Sequence, residues 1–282
     1  MRLTLCAILA ASLAIRLSAA ELQRDIEFAQ ASAKDGSKVS LKLDISIPEG
    51  NGPFPTAIIV HGGGWEGGDK AIEWVQPLFK PLSEAGFVWI SINYRLSPQA
   101  PYPAMYDDVM TAIGWVDAHA KQYKVDRKRV ALIGESAGGH LVALAGTRGK
   151  GATKVAAVVD FYGPHDLVKQ IAERDQGDYT GMAKRMFRST PQPDTEARLR
   201  EASPIHYVHK GMPPFLFIHG TLDKSVPFNQ SPLMCDKMKS LGVACEVIPM
   251  EGAPHGMSNW EKNPAWTTYK QPMIAWLKKT LR

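Results

Sequence analysis

A chain of 282 residues, 45% hydrophobic and 22% charged, has the make-up of a folded globular protein, with length for one large α/β domain or two small ones. Its formal net charge of +5 comes from scattered Lys and Arg with no dense basic run, which argues against a nucleic-acid surface. No Cys/His cluster has metal-ligand spacing, and there is no repeat or low-complexity tract.

The first residues carry the pattern of an export signal: Arg2, an apolar stretch from Leu3 to Ile15, then Ser18-Ala19-Ala20 before the polar Glu21. The apolar stretch is too short to span a bilayer, so no membrane span is expected. Residues 1–20 are therefore expected to be removed, and residues 21–282 to work in a secreted or periplasmic setting. That cleavage takes away Cys6 and leaves Cys235 and Cys245, which either pair in an oxidising compartment or stay as two buried thiols.

Val39, Leu41, Leu43, Ile45 and Ile47 alternate with polar residues, which predicts a half-buried antiparallel strand. Asp35-Gly36 is a turn signal before it, so Ile26 to Ala31 is expected to pair back as a hairpin. After the loop Pro48 to Pro55, Thr56 to Val60 reads as a fully buried strand running straight into His61-Gly62-Gly63-Gly64-Trp65. Glycines at that edge serve a backbone that must approach a ligand closely with its N–H groups exposed. Phe87 to Ile92 is a further strand, Asn93 to Pro98 a loop, and Tyr106 through Tyr123 an amphipathic helix. Asp107 and Asp108 open that helix, where the dipole favours them, and either is placed to pair with Arg95.

The organising stretch comes next. Val130 to Ile133 is a buried strand that passes without a spacer through Gly134-Glu135-Ser136-Ala137-Gly138 into the apolar helix starting near Leu141. So sharp a strand-to-helix turn holds Ser136 in strained backbone geometry above the sheet, beside the unpaired N–H groups of a helix start. Val155 to Phe161 is another strand. Between Gly163 and Pro204 the strand signal vanishes, and an insertion of that length on the ligand edge of a sheet is expected to cap the site (residues 164–204). Phe215 to Gly220, a helix from Phe228 to Leu241, Ala244 to Ile248 and a closing helix from Pro264 to Leu281 complete the alternation. Strands alternating with helices mean a mostly parallel sheet covered on both faces.

A serine hydroxyl needs a neighbouring base. His255, in the loop Ala253-Pro254-His255-Gly256 after the last strand, suits a ring that must shuttle a proton, whereas His61 and His140 are placed to hold the glycine loop and the new helix by hydrogen bonds. His219 ends a buried strand. Asp223, just beyond the strand that ends at Gly220, is the favoured acid, with Asp160 and Asp166 as competitors. The chain order Ser136, Asp223, His255 fits an α/β-hydrolase triad.

The residues His61-Gly62-Gly63-Gly64-Trp65, Asn93-Tyr94-Arg95-Leu96-Ser97-Pro98, Gly134 to His140, Val159-Asp160-Phe161-Tyr162-Gly163, Ile218 to Asp223 and Pro254-His255-Gly256 together resemble the hormone-sensitive-lipase-like esterases of the α/β-hydrolase superfamily. Within that group the chain is similar to secreted carbohydrate esterases that remove acetyl or feruloyl groups from plant polysaccharide. The resemblance implies an eight-stranded, mostly parallel sheet with a cap insertion. It implies Ser136 as nucleophile, His255 as base, Asp223 as the orienting acid, and the N–H groups of Gly63, Gly64 and Ala137 as oxyanion hole. Trp65, where lipase-like members commonly carry Phe or Tyr, is expected to contact substrate. It is shared in kind with arylformamidases, which keeps an amide-cleaving reading beside the ester one. A peptidase-like hydrolase is a further reading, and so is a hydrolase fold kept as a binding module without turnover. No cofactor or metal is implied. The expected partner is a small-molecule or oligosaccharide ester.

Overall fold

The computed structural model describes residues 21–149 and 155–282; the expected export signal lies outside the described residues. β1 (Glu21–Ser32) and β2 (Lys38–Ile47) form the hairpin that the Asp35-Gly36 turn signals. In the turn, the Asp35 carboxylate accepts from the Ser37 N–H, and Gly36 sits at φ +85°. β1 starts earlier than its apolar residues suggest and is bulged near Asp25.

β2 departs from the half-buried expectation, because every residue from Leu43 to Ile47 is buried. The cause is Lys70, itself only 6% exposed, whose ammonium lies 3.1 Å from Asp44 and 3.0 Å from Asp25. A buried carboxylate is tolerated where a cation meets it.

The remaining strands are β3 (Phe54–Val60), β4 (Val88–Ile92), β5 (Val125–Glu135), β6 (Ala157–Phe161), β7 (Phe215–Gly220) and β8 (Cys245–Met250). They build one eight-stranded sheet in the order β1-β2-β4-β3-β5-β6-β7-β8, parallel from β4 onward and antiparallel only around β2. Alternate side chains feed two cores: Ile58, Val60 and Leu132 on one face, Ala57, Ile59 and Ile133 on the other. The helices are α1 (Phe79–Glu84), α2 (Ala104–Ala118), α3 (Ala137–Arg148), α4 (Leu167–Arg174), α5 (Thr180–Met182), α6 (Thr195–Glu201), α7 (Gln230–Ser240), α8 (Met257–Trp260) and α9 (Lys270–Thr280). α2, α3 and α7 cover the first face; α1 and α9 cover the second.

Two helices are shorter than their apolar patterns predict. α2 stops at Ala118, where Trp115, His119 and Tyr123 pack ring on ring in a turn that ends with Lys124 at positive φ. α9 starts at Lys270, because Pro264 opens a separate 3-10 turn capped by the Asn263 side chain. Cys235 of α7 and Cys245 of β8 are joined by a disulfide, which decides between the two states left open by their spacing. Among the described residues no helix is long and apolar enough to cross a membrane.

Candidate active site

β5 delivers Ser136 to the C-terminal edge of the sheet and α3 begins at the next residue. Ser136 adopts φ 53°, ψ −118°, a backbone conformation that non-glycine residues rarely accept. It is held there by its N–H donating to the Phe161 carbonyl (2.9 Å) and its carbonyl accepting from the His140 N–H (3.0 Å). The flanking glycines are required by contact. A Cβ on Gly134 would run into the Gly138 backbone, and one on Gly138 into the Val60 and His61 carbonyls.

The Ser136 hydroxyl lies 3.0 Å from His255 Nε2, and His255 Nδ1 lies 2.6 Å from Asp223 Oδ2. Asp223 Oδ1 accepts from the N–H groups of Ser225 (2.8 Å) and Val226 (2.9 Å). Burial alone would raise the Asp223 carboxyl, but the imidazoles of His219 and His255 and these backbone donors hold it well below the usual carboxylate range. His219 itself is engaged with the Ser231 hydroxyl (2.8 Å) and the Val226 carbonyl (3.0 Å). Tyr162 stands edge-on to the His255 ring at 4.7 Å and its hydroxyl accepts from the Met257 N–H, fixing the face the imidazole rests on.

The competing acids are committed elsewhere. Asp160 is fully buried, accepts from the Gly163 N–H (2.7 Å), and is raised to about 7 by burial. Asp166 caps α4 through the Lys169 N–H.

The glycine loop passes through Gly63 (φ 104°), Gly64 (φ 61°) and Trp65 (φ 62°) in succession. Such a run turns consecutive N–H groups toward one concavity. Among the described residues the N–H groups of Gly63, Gly64 and Ala137 have no acceptor within the protein. His61 is buried, stacks on Tyr94 at 4.4 Å and donates from Nδ1 to the Gly62 carbonyl (2.7 Å); burial pushes it down to about 4.

Trp65, expected to meet substrate, is only 4% exposed and turns its indole inward. Its N–H donates to His140 Nδ1 (3.2 Å), while His140 Nε2 donates to the Ala202 carbonyl (2.6 Å). Both ring nitrogens being used in this sense requires the neutral tautomer, and burial pushes His140 down to about 4. Trp65 therefore holds the glycine loop against α3 and also lines the recess beside Ser136.

Two spaces open beside Ser136. A cleft of 460 Å³ is bordered by Gly63, Gly64, Trp74, Arg185, His255 and Asn259. A recess of 60 Å³ lies toward Ala137, Pro164, Met182 and Val226.

The BD-FAE family pattern matches residues 43–238, which is more than half of the chain and contains both the glycine loop and the elbow. The chain belongs to the BD-FAE family. Its architecture is that of the hormone-sensitive-lipase-like α/β-hydrolases. It is 32% identical over 216 residues to Esterase LipC of Mycobacterium tuberculosis, covering 72% of this chain and 53% of LipC. The chain spans about half the length of LipC and of the related LipM and LipQ (53%, 46% and 47%). Among solved structures, a truncated carbohydrate esterase from gut microbiota superposes with a TM-score of 0.77 at 26% identity, covering 92% of this chain and 96% of that one. The propionate-bound esterase Est2 of Thermogutta terrifontis gives a TM-score of 0.71 at 25% identity, covering 94% and 95%.

Three residues of this BD-FAE chain that the sequence reading passed over also meet at the site. Glu135, the residue before the nucleophile, is buried and accepts the Gly62 N–H, so the elbow and the glycine loop are bonded directly. Burial raises its carboxyl to about 7, against the opposing pull of His255 and of that N–H. Trp74 and Arg185 border the cleft from segments without strand or helix periodicity. The only signal for Glu135 was its place inside a Gly-x-Ser-x-Gly motif, where the intervening residue is easily read as filler.

Proposed function

We propose that this protein is a serine carboxylic-ester hydrolase that removes small acyl groups from carbohydrate esters. The observation that carries it is the unbroken line from Asp223 through His255 to the Ser136 hydroxyl, at 2.6 and 3.0 Å. Ser136 Oγ attacks the ester carbonyl while His255 Nε2 takes its proton, and Asp223 keeps the second ring proton on Nδ1 and steadies the imidazolium. The oxyanion forms among the N–H groups of Gly63, Gly64 and Ala137. Each such donor is worth about 3 kcal/mol in the transition state. Nε2 then passes its proton to the departing alcohol. Water, deprotonated by the same nitrogen, attacks the acyl-Ser136 and releases the acid.

The acyl group is assigned to the recess. At 60 Å³ it is the smaller of the two spaces beside Ser136 and suits a short acyl group such as acetyl. The alcohol is assigned to the larger cleft, where Trp74 supplies an aromatic wall of the kind that sugar rings stack on. The likeness to a carbohydrate esterase supports the alcohol, and the likeness to a propionate-bound esterase supports a short acyl group. Function outside the cytoplasm, with residues 1–20 as the export signal, is part of the same proposal and is supported by the Cys235–Cys245 disulfide.

A panel of p-nitrophenyl esters from acetate to octanoate, together with acetate and ferulate release from xylan fragments, tests this reading. Acetate is expected to lead both series. Formate release from N-formylkynurenine without turnover of any acetyl ester would replace it with the amide-cleaving reading. No turnover of any of these would leave a binding module.

A further inference from the structure

Arg185 sits on the π-helical turn Ala183–Phe187 of the cap segment and borders both the cleft and the recess beside Ser136. Its nearest acid is Glu66, at 4.0 Å, and it makes no hydrogen bond among the described residues. Glu66 is already taken: its other oxygen receives Arg188 at 2.9 Å. One carboxylate thus faces two guanidinium groups, and the closer one has it.

The other charges around the cleft are also spent. Asp223 lies behind His255 with its oxygens occupied, and Glu135 is buried against the Gly62 N–H. Arg174, at the back of the recess, is forked onto Asp175 and donates to the Ser225 carbonyl. What remains turned toward substrate is a half-exposed guanidinium without a close partner, in a cleft that the Trp74 side chain also borders.

We infer that this site selects acyl esters of acidic sugars, with Arg185 binding the carboxylate of a uronic-acid unit adjacent to the acylated hydroxyl. A guanidinium fork matches a carboxylate in shape and charge, and its donors cost little to align. A neutral sugar leaves Arg185 with nothing better than the distant Glu66 oxygen. An acidic one supplies the missing acceptor and places its own ring against Trp74. The inference rests on the esterase reading above and adds the charge of the alcohol to it.

The test uses two acetylated xylo-oligosaccharides that differ only in a uronic-acid branch beside the acetyl group, with kcat/KM measured for each. The wild-type ratio, acidic over neutral, is expected to be about tenfold or more, the size of one charge-assisted hydrogen bond in a partly exposed site. It is expected to lie mainly in KM, as for an interaction present equally in ground and transition states. Arg185→Ala should bring the ratio close to one, and Arg185→Lys should keep part of it. Methyl-esterifying the uronate should remove the preference with the enzyme unaltered, and rising salt should reduce it. A wild-type ratio near one, or a ratio that survives in Arg185→Ala, overturns the inference while leaving the esterase reading in place. Hydrolysis of neither substrate, nor of simple acetyl esters, is the separate result that would count against that reading itself.

Discussion

The elbow and the cap segment meet over Ser136 and are built on opposite principles. The elbow is backbone packed on backbone. Gly138 lies against the Val60 and His61 carbonyls, Gly134 against Gly138, and Gly62 against Glu135, so none of these positions admits even a methyl group. The cap is a series of short pieces, α4, α5, a π-helical turn and α6. Its glycines at 177 and 181 have open space around them. Its ion pairs, Lys169–Glu173 and Arg200–Glu196, are half open to solvent, and such pairs are individually weak. The proposed chemistry sits on the part that cannot give, and the proposed choice of substrate on the more loosely packed part.

The largest effect expected from breaking the rigid side is Ser136→Ala. It should fold normally and lose about a 10⁶-fold factor in kcat for p-nitrophenyl acetate. Activity within a tenth of wild type would remove Ser136 from the reaction. Next, Asp223→Asn should lower turnover by about 10⁴ by stabilising the wrong imidazole tautomer. Asp166→Asn, on the cap, should cost little, since Asn caps α4 as well as Asp does. Similar losses at both positions would contradict the assignment.

A stability comparison sharpens the contrast at two glycines. Gly138→Ala drives a methyl into the Val60 carbonyl and should cost about 2 kcal/mol or more, read as a drop in urea midpoint. Gly181→Ala, in α5 with nothing near it, should be neutral or stabilise by about 0.5 kcal/mol.

A further expected effect depends on pH. The Glu135 carboxyl is raised by burial from 4.5 to about 7, so folding favours its protonated form. The stability this contributes is fully present below about pH 4.5 and is lost as pH rises through about 7. Relative to Glu135→Gln, the wild type should lose up to about 3 kcal/mol over that window. Parallel stability curves for the two proteins would show that Glu135 titrates as it does in water.

How legible each region was in the sequence follows from the same contrast. The elbow, the glycine loop and the buried strands announce themselves because a backbone packed this closely demands glycine and β-branched residues in fixed order. Asp44 defeated the alternation rule in β2, because its partner Lys70 lies beyond the next strand and no local pattern signals that meeting. Trp65 lines the recess as a residue beside the glycine loop should, but nothing in its neighbourhood signals that its N–H meets His140, 75 residues away. Trp74 borders the cleft from a non-helical turn and Arg185 from a five-residue π-helical turn, pieces too short for sequence spacing to carry directional information. The lack of strands between β6 and β7 was legible in the loss of strand signal after Gly163, but not which side chains there would turn inward.

The His140 ring has a consequence for anyone who would transplant a different cap onto this scaffold. It is a two-ended splice: one nitrogen receives the glycine loop through Trp65, and the other grips the end of α6 through the Ala202 carbonyl. A donor segment of the right length that failed to bring a carbonyl to that spot would leave the ring free to flip or to change tautomer. The Trp65 indole would then lose its acceptor, and the loop carrying Gly63 and Gly64 would slacken although none of its own residues had been touched. Exchange of specificity between relatives is thus constrained at a joint remote from any substrate, and a compatible graft is one that preserves the splice.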